Sequence, residues 1–211
     1  VRGQIAHCRA SMRGVDRYEA CVFVFIIYSE IDALALNVIK DIIPVCNKEI
    51  NMKLNIKRMN YEEANEISKW IYQEPYSIYS NDGSDSCIRE LLDGNYFSAT
   101  DEENKLLGYY CFNESAQVPV GKQFGVYDDK DLIDVGLGIR PDLCGQGFGL
   151  DFLSNGLDFA RSELNAKGLR LTVAFFNKRA IKVYERIGFK KVSSFKRISE
   201  IGEMEFWVMI L

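Results

Sequence analysis

The stretch Ile139–Leu153, "IRPDLCGQGFGLDFL", sets three glycines at alternate positions, Gly145, Gly147 and Gly149, directly before an apolar periodicity. Leu150, Leu153, Leu157, Ala160 and Leu164 then recur at steps of three and four, one stripe of an amphipathic helix for which Gly168 is a stop. On either side, "DLIDVGLGI" (Asp131–Ile139) and "LRLTVAFF" (Leu169–Phe176) have strand character. Strand, glycine loop, helix, strand is a β-α-β unit, whose strands are usually parallel and joined by a right-handed crossover. Glycines without Cβ let several backbone N–H groups face one way, and a helix start adds unpaired donors and the positive end of its dipole. A pyrophosphate is the expected guest. A connector of small residues that lets the helix pack close to a strand accounts for the same glycines.

Two other phosphate motifs are excluded by spacing. A dinucleotide fingerprint needs a third glycine three residues after the second, but Leu150 follows Gly145-x-Gly147 and Phe152 follows Gly147-x-Gly149. The Gly121-Lys122 pair is followed by Gln123, not the Ser or Thr of a Walker loop.

Around this unit the remaining elements are short. "KLNIKRM" (Lys53–Met59) alternates as a half-buried strand, and Asn60 with Glu63 forms a capping pair for a helix through about Tyr72. Gln73–Asp85 is a loop dense in turn formers and tyrosines, and a helix over Ser86–Leu92 precedes a hairpin made of "NYFSAT", the turn "DEENK" and "LLGYYCF". A helix over Lys178–Arg186 ends at Gly188, and "FKKVSSF" and "MEFWVMIL" supply two last strands.

A chain of 211 residues is long enough for one filled core with an appendage. Its formal net charge of −4 gives no basic field for a phosphate backbone, so the expected partner is a small molecule or a protein and not nucleic acid. Cysteines 8, 21, 46, 87, 111 and 144 contain no Cys-x-x-Cys pair and His7 is the single histidine, so no zinc site is expected. Dispersed thiols in a chain of this size read as reduced cysteines of a cytoplasmic protein.

The first fifty residues stand apart. Arg13 and Arg17 precede the apolar run "ACVFVFIIY" (Ala20–Tyr28), which superficially resembles a secretory signal, but Glu30 and Asp32 interrupt the region that follows. At nine residues the run falls far short of the ~20 needed to span a bilayer, and no membrane role is expected. Folded structure explains it as well: a strand over Ala20–Tyr28, then a helix capped by Ser29, with Ile31, Leu34, Ala35, Val38, Ile39 and Ile42 on one face and Pro44 as its stop. We divide the chain into an extension of unknown role, 1–51, either appended structure or sequence upstream of the true start, and a domain, 52–211.

The run Asp134–Leu153 resembles motif A of the GNAT superfamily of acyl-CoA N-acyltransferases, with Cys144-Gly145-Gln146-Gly147-Phe148-Gly149 at the positions of Arg/Gln-x-x-Gly-x-Gly/Ala. "FFNKRAIKVYERIGFKKV" (Phe175–Val192) resembles motif B, with Asn177, Ala180, Tyr184 and the Gly188-Phe189 ending in place. The resemblance spans roughly residues 52–211. It implies an α/β fold with a mixed, mostly antiparallel central sheet flanked by helices and a parallel strand pair splayed at the CoA site. It also implies acetyl-CoA as cosubstrate, with no metal, its pyrophosphate on the backbone of Cys144, Gly145, Gln146, Gly147, Phe148 and Gly149. Leu137, Gly138 and Ile139 would pair with the pantetheine arm, Asn177 and Ala180 would meet that arm from the far side, and Tyr184 would be the general acid. Cys144 departs from the family pattern, because a thiol lacks the long side-chain donor of Arg or Gln.

The chemistry is consistent with those roles. An alkyl amine with a pKa near ~10 must lose a proton before it attacks a thioester, and the departing thiolate, conjugate acid about 8.5, benefits from a donor. Tyr184 is such a donor, or a core-edge aromatic one helical turn after Ala180. Asp134, as implied by its place in motif A, is the candidate base, or a solvated strand-end aspartate beside Asp131. Arg179 and Lys182 either reach the 3′-phosphate or form a solvent-facing helix side. The resemblance places the acceptor at Ser68–Asp85, where Trp70, Tyr72, Tyr76 and Tyr79 would line a pocket or pack the core, and Glu74, Asp82 and Asp85 suit a cationic amine. The acceptor is an amine-bearing small molecule or a protein, and a homodimer is compatible with this. The expected activity is direct N-acetyl transfer to a primary amine, with a catalytically inactive CoA-binding sensor or assembly module as the alternative.

Overall fold

A computed structural model describes residues 53–199 and 202–211. The apolar run Ala20–Tyr28, the helix expected over Ile31–Ile42 and the rest of the 1–51 extension lie outside those residues.

Seven strands form one sheet in the order β1-β2-β3-β4-β5-β7-β6. The antiparallel half comprises β1 (Asn55–Arg58), β2 (Tyr96–Thr100), β3 (Leu106–Phe112) and β4 (Leu132–Ile139). β5 (Gly168–Ala174) lies parallel to β4, and β7 (Gly202–Ile210) and β6 (Lys190–Ser199) close the sheet antiparallel. This is the mixed sheet, with its one parallel pair, that the β-α-β pattern and the family resemblance imply.

Among the described residues the α-helices are α1 (Tyr61–Ile67), α2 (Asp85–Leu91), α3 (Gly149–Glu163) and α4 (Lys178–Ile187). α1 begins with the expected capping box, Asn60 Oδ1 accepting from the Glu63 N–H at 2.9 Å and the Glu63 carboxylate from the Asn60 N–H at 3.2 Å. It stops at Ile67 and not near Tyr72, because later loop residues satisfy its last carbonyls. The Asn81 side-chain amide donates to Ile67 O at 2.9 Å, and the N–H groups of Gly83 and Asn81 donate to Ser68 O at 2.8 Å and Trp70 O at 3.0 Å.

α3 packs on the sheet through Phe152, Leu153, Gly156, Leu157 and Ala160. Leu150, expected on that stripe, is 37% exposed, and Phe152 and Gly156 take its place at the contact. Two glycines set the close approach. A Cβ on Gly108 of β3 would collide with the Phe152 ring, and one on Gly156 with the Tyr110 ring. Those two rings stack at 4.6 Å, and the Tyr110 hydroxyl donates to Phe152 O. Gly168 opens β5 and does not end the helix; the chain reverses earlier, at Asn165, whose φ is 54°.

The core has three parts. α3 and α4 cover one face of the sheet, over Phe97, Tyr110, Phe112, Val135, Leu169, Leu171 and Val173. On the other face α1 and α2 bury Met59, Ala64, Ile67, Trp70, Ile88 and Leu91 against Tyr96, Leu106 and Cys111. Short 3₁₀ turns between β3 and β4 lay Val118, Val120 and Val126 on a third cluster, Ala174, Phe195, Phe206 and Val208.

Candidate active site

β4 and β5 are paired only at Leu132, Ile133 and Asp134 against Gly168, Leu169 and Arg170. Beyond that point β4 stays with β3 from Val135 to Ile139, and β5 stays with β7 as far as Ala174. The strands therefore diverge, leaving the β5-facing edge of β4 over Leu137, Gly138 and Ile139 without a strand beside it. An extended chain with amide groups can run along such an edge.

At the fork sits an ion pair. Arg170 Nε and Nη2 donate to Asp134 Oδ1 and Oδ2 at 2.6 and 2.8 Å, and the two side chains are 3% and 4% exposed. Gln117 Nε2 adds a donor to Asp134 Oδ2 at 2.7 Å, and the Arg170 guanidinium lies over the Tyr127 ring at 5.1 Å. The Asp134 carboxylate, first by hydrogen bonding and then by its charge, raises the Arg170 pKa above its ordinary value against the effect of burial. Asp134 is thus neither a solvated strand-end carboxylate nor a free one; both oxygens are already hydrogen-bonded. Arg170 went unremarked in the sequence, although a lone charge inside the apolar run "LRLTVA" is a signal that a buried partner exists.

The glycine loop follows a short turn, Pro141–Leu143, fixed by Arg140, whose Nε donates to Asp142 at 2.6 Å and Nη1 to Leu106 O at 2.7 Å. Gly145 and Gly147 have φ of 81° and 92°, a left-handed backbone that accounts for glycine at both positions. Phe148 is the N-cap of α3 and its side chain makes no capping hydrogen bond, so the start of the helix at Gly149 is left open to an anion. The Gln146 amide donates to Asp142 O at 2.6 Å and so holds the loop itself. Cys144 is half-buried, its thiol directed at the carbonyls of Ile139 and Arg140 at 3.6 and 3.7 Å, and burial raises its pKa. In place of a cation at that position, Arg179 of α4 approaches the loop: its Nη1 lies 3.5 Å from where a Gly145 Cβ would be, and its guanidinium covers the Tyr76 ring at 4.3 Å.

α4 brings the remaining candidates together. Asn177 is its N-cap, Oδ1 accepting from the Ala180 N–H at 3.1 Å, while Nδ2 reaches the Tyr79 hydroxyl at 3.5 Å. The Ala180 N–H is therefore occupied within the helix. Tyr184, half-buried, lies 6.1 Å from the Phe189 ring, and burial, then the Tyr79 hydroxyl, push its pKa above the ordinary tyrosine value. Tyr79 is itself raised by burial and stacks on Phe176 at 5.9 Å, with Tyr76 at 6.0 Å from the same ring.

The four aromatics expected around an acceptor separate. Trp70 is buried, 6.1 Å from Tyr109 in the core beneath α1 and α2. Tyr72 donates to Ile139 O at 2.9 Å, fixing the end of β4. Tyr76 and Tyr79 line the splay through Phe176, Arg179 and Asn177. What the sequence did not reveal is an open groove of about 470 Å³ beside them, lined by Glu74, Pro75, Ser77, Ile78, Phe176 and Met204. Met204 follows Glu74 by 130 residues (204 − 74), so nothing local connects them.

Among the described residues no group of His, Cys, Asp and Glu is arranged to hold a metal, and no helix is long and apolar enough to cross a membrane.

The family model for acetyltransferases of the GNAT family matches residues 61–189. Among solved structures, a GNAT-family acetyltransferase from Bacillus anthracis superposes with a TM-score of 0.59 at 14% identity, over 76% of this chain and 96% of that one. Mutant forms of the spermidine/spermine N-acetyltransferase SpeG from Vibrio cholerae superpose with a TM-score of 0.55 at 18% identity, over 75% and 94%. Both are similar in fold. No curated protein matches the sequence significantly.

Proposed function

The chain belongs to the GNAT acetyltransferase family, and from that premise we propose that it transfers an acetyl group from acetyl-CoA directly to a primary amine. The observation that carries the proposal is the juxtaposition, at one splayed strand pair, of a left-handed glycine loop opening α3 and the helix α4 that packs against it and carries Tyr184.

The donor supplies an activated thioester. The residues around it have distinct tasks. Backbone N–H groups at Gly145–Gly149 hold the pyrophosphate, with Arg179 contributing the cation that Cys144 lacks. The free edge at Leu137–Ile139 and Asn177 flank the arm. The amine nitrogen, after losing one proton to solvent, bonds to the carbonyl carbon as the carbon–sulfur bond breaks; Tyr184 gives the departing sulfur a proton and is reprotonated by the second proton that the nitrogen sheds as the amide forms. Asp134 acts by holding the fork at which the strands part. The three described cysteines, Cys87, Cys111 and Cys144, are free thiols, in keeping with a reducing cytoplasmic setting.

Two measurements test this: calorimetry with CoA, then acetylation of an amine panel. Binding with turnover supports the proposal. Binding with no turnover of any amine replaces it with a CoA-binding sensor or assembly module.

A further inference from the structure

The groove beside Phe176 has a chemistry of its own. Its volume, about 470 Å³, falls in the ~300–1,000 Å³ range of small-molecule sites. Pro75, Ile78, Phe176 and Met204 make four of its six walls apolar. Ile78 stands 40% exposed there, a large aliphatic surface left open to solvent. The single ionisable group is Glu74. The Ser77 hydroxyl donates to Glu74 Oε1 at 2.6 Å, which orients the carboxylate, and among the described residues no lysine or arginine pairs with it. The acidic neighbours of Met204 on β7 are already engaged, Glu203 with Lys196 at 2.7 Å and Glu205 with Lys191 at 3.7 Å. The wall formed by Phe176 is shared with the reaction centre: Tyr79 stacks on it, and the next residue, Asn177, reaches the Tyr79 hydroxyl.

We propose that this groove receives the acceptor, and that the acceptor is a primary monoamine bearing a ring-sized apolar substituent. The inference rests on the N-acetyltransferase proposal above and specifies its substrate class. The substituent covers Phe176, Ile78 and Met204, and Glu74 accepts from the nitrogen, first as the arriving ammonium and then, once a proton has gone to solvent, as the attacking amine. A polyamine presents two or more cations along a thin, flexible chain; here it would meet one carboxylate and leave the apolar walls poorly covered.

The test is kcat/KM for phenethylamine against spermidine with saturating acetyl-CoA, in the wild type, Glu74→Gln and Ile78→Ser. Phenethylamine should be preferred at least about tenfold, the factor expected from burying about 60 Å² of ring. Glu74→Gln should raise the phenethylamine KM about tenfold with kcat within about threefold, as for a group that binds ground state and transition state alike. Ile78 is exposed, so Ile78→Ser should leave folding intact and narrow the preference severalfold. Spermidine turned over as well as phenethylamine would overturn the substrate class while leaving amine acetylation standing. A fall in kcat with unchanged KM in Glu74→Gln would overturn the recognition role. Acetyl-CoA binding with no amine turned over would remove both the inference and the proposal beneath it.

Discussion

Replacing Asp134 by alanine should cost a large fraction of the protein's stability before it says anything about catalysis. The carboxylate and the Arg170 guanidinium are each at most 4% exposed and joined by two hydrogen bonds of 2.6 and 2.8 Å. Without Asp134, Arg170 keeps only Asp129 O at 3.3 Å and the face of Tyr127, so a desolvated cation is left without its counter-charge. Breaking one side of such a pair costs about 3–5 kcal/mol, against a total stability of about 5–15 kcal/mol for a domain. With a urea slope of about 2 kcal/mol per molar, the midpoint should fall by about 1.5–2.5 M. Asp134→Leu combined with Arg170→Met should recover most of that loss, because apolar side chains of similar volume often replace a buried pair at little net cost. Urea denaturation of wild type, both single variants and the double variant closes the cycle. Should Asp134→Asn keep the wild-type midpoint and yet abolish acetyl transfer, the carboxylate would be acting as the base and the structural account would be refuted.

Three further outcomes are expected. Tyr184→Phe should lower kcat by about 10²-fold or more, the usual scale for a proton donor, with acetyl-CoA affinity by calorimetry within about twofold. Cys144→Arg should bind CoA at least as tightly as the parent, because a second guanidinium would join Arg179 at the loop; a marked loss of affinity in a calorimetric titration would contradict the loop geometry. Stability should decline in alkali: burial pushes the Cys111 thiol from 9.0 up to about 12, so the unfolded chain releases that proton first, and the stabilisation present below pH 9.0 is lost as pH rises to about 12. Cys111→Ala should flatten that part of a urea midpoint against pH curve.

The parallel pair at β4 and β5 was legible because its evidence is local. The glycine loop, the apolar stripe after it and the alternation on both sides lie within about forty residues, and each follows from a short-range rule. Where the sequence misleads, a distant contact overrides the local rule. α1 ends five residues early because Asn81 and Gly83 return to its last carbonyls. Leu150 leaves the helix stripe because Tyr110 stacks on Phe152 and tucks its ring against Gly156, which rotates the buried face slightly while Leu153, Leu157 and Ala160 stay in it.

The candidate site divides along the same line, with consequences for the chemistry assigned to it. The roles proposed for Gly145, Gly147, Asn177 and Tyr184 rest on backbone dihedrals or helix position, and each residue is identifiable from its own motif. Asp134 is the opposite case: its position in the chain suits a base, but its properties are set by Arg170, Gln117 and Tyr127, contributed by three other segments. Both of its oxygens already accept from Arg170 and Gln117, so the carboxylate is committed to holding the strands together. The same residues give the ion pair its use. It lies at the last register pair before β4 and β5 separate, so it fixes where the fork opens and how far the free edge of β4 stands from α4. A shift there would move Leu137–Ile139 relative to Asn177 and Tyr184 together. On the proposed activity, the charge that looked catalytic would act by geometry, through the strands it holds.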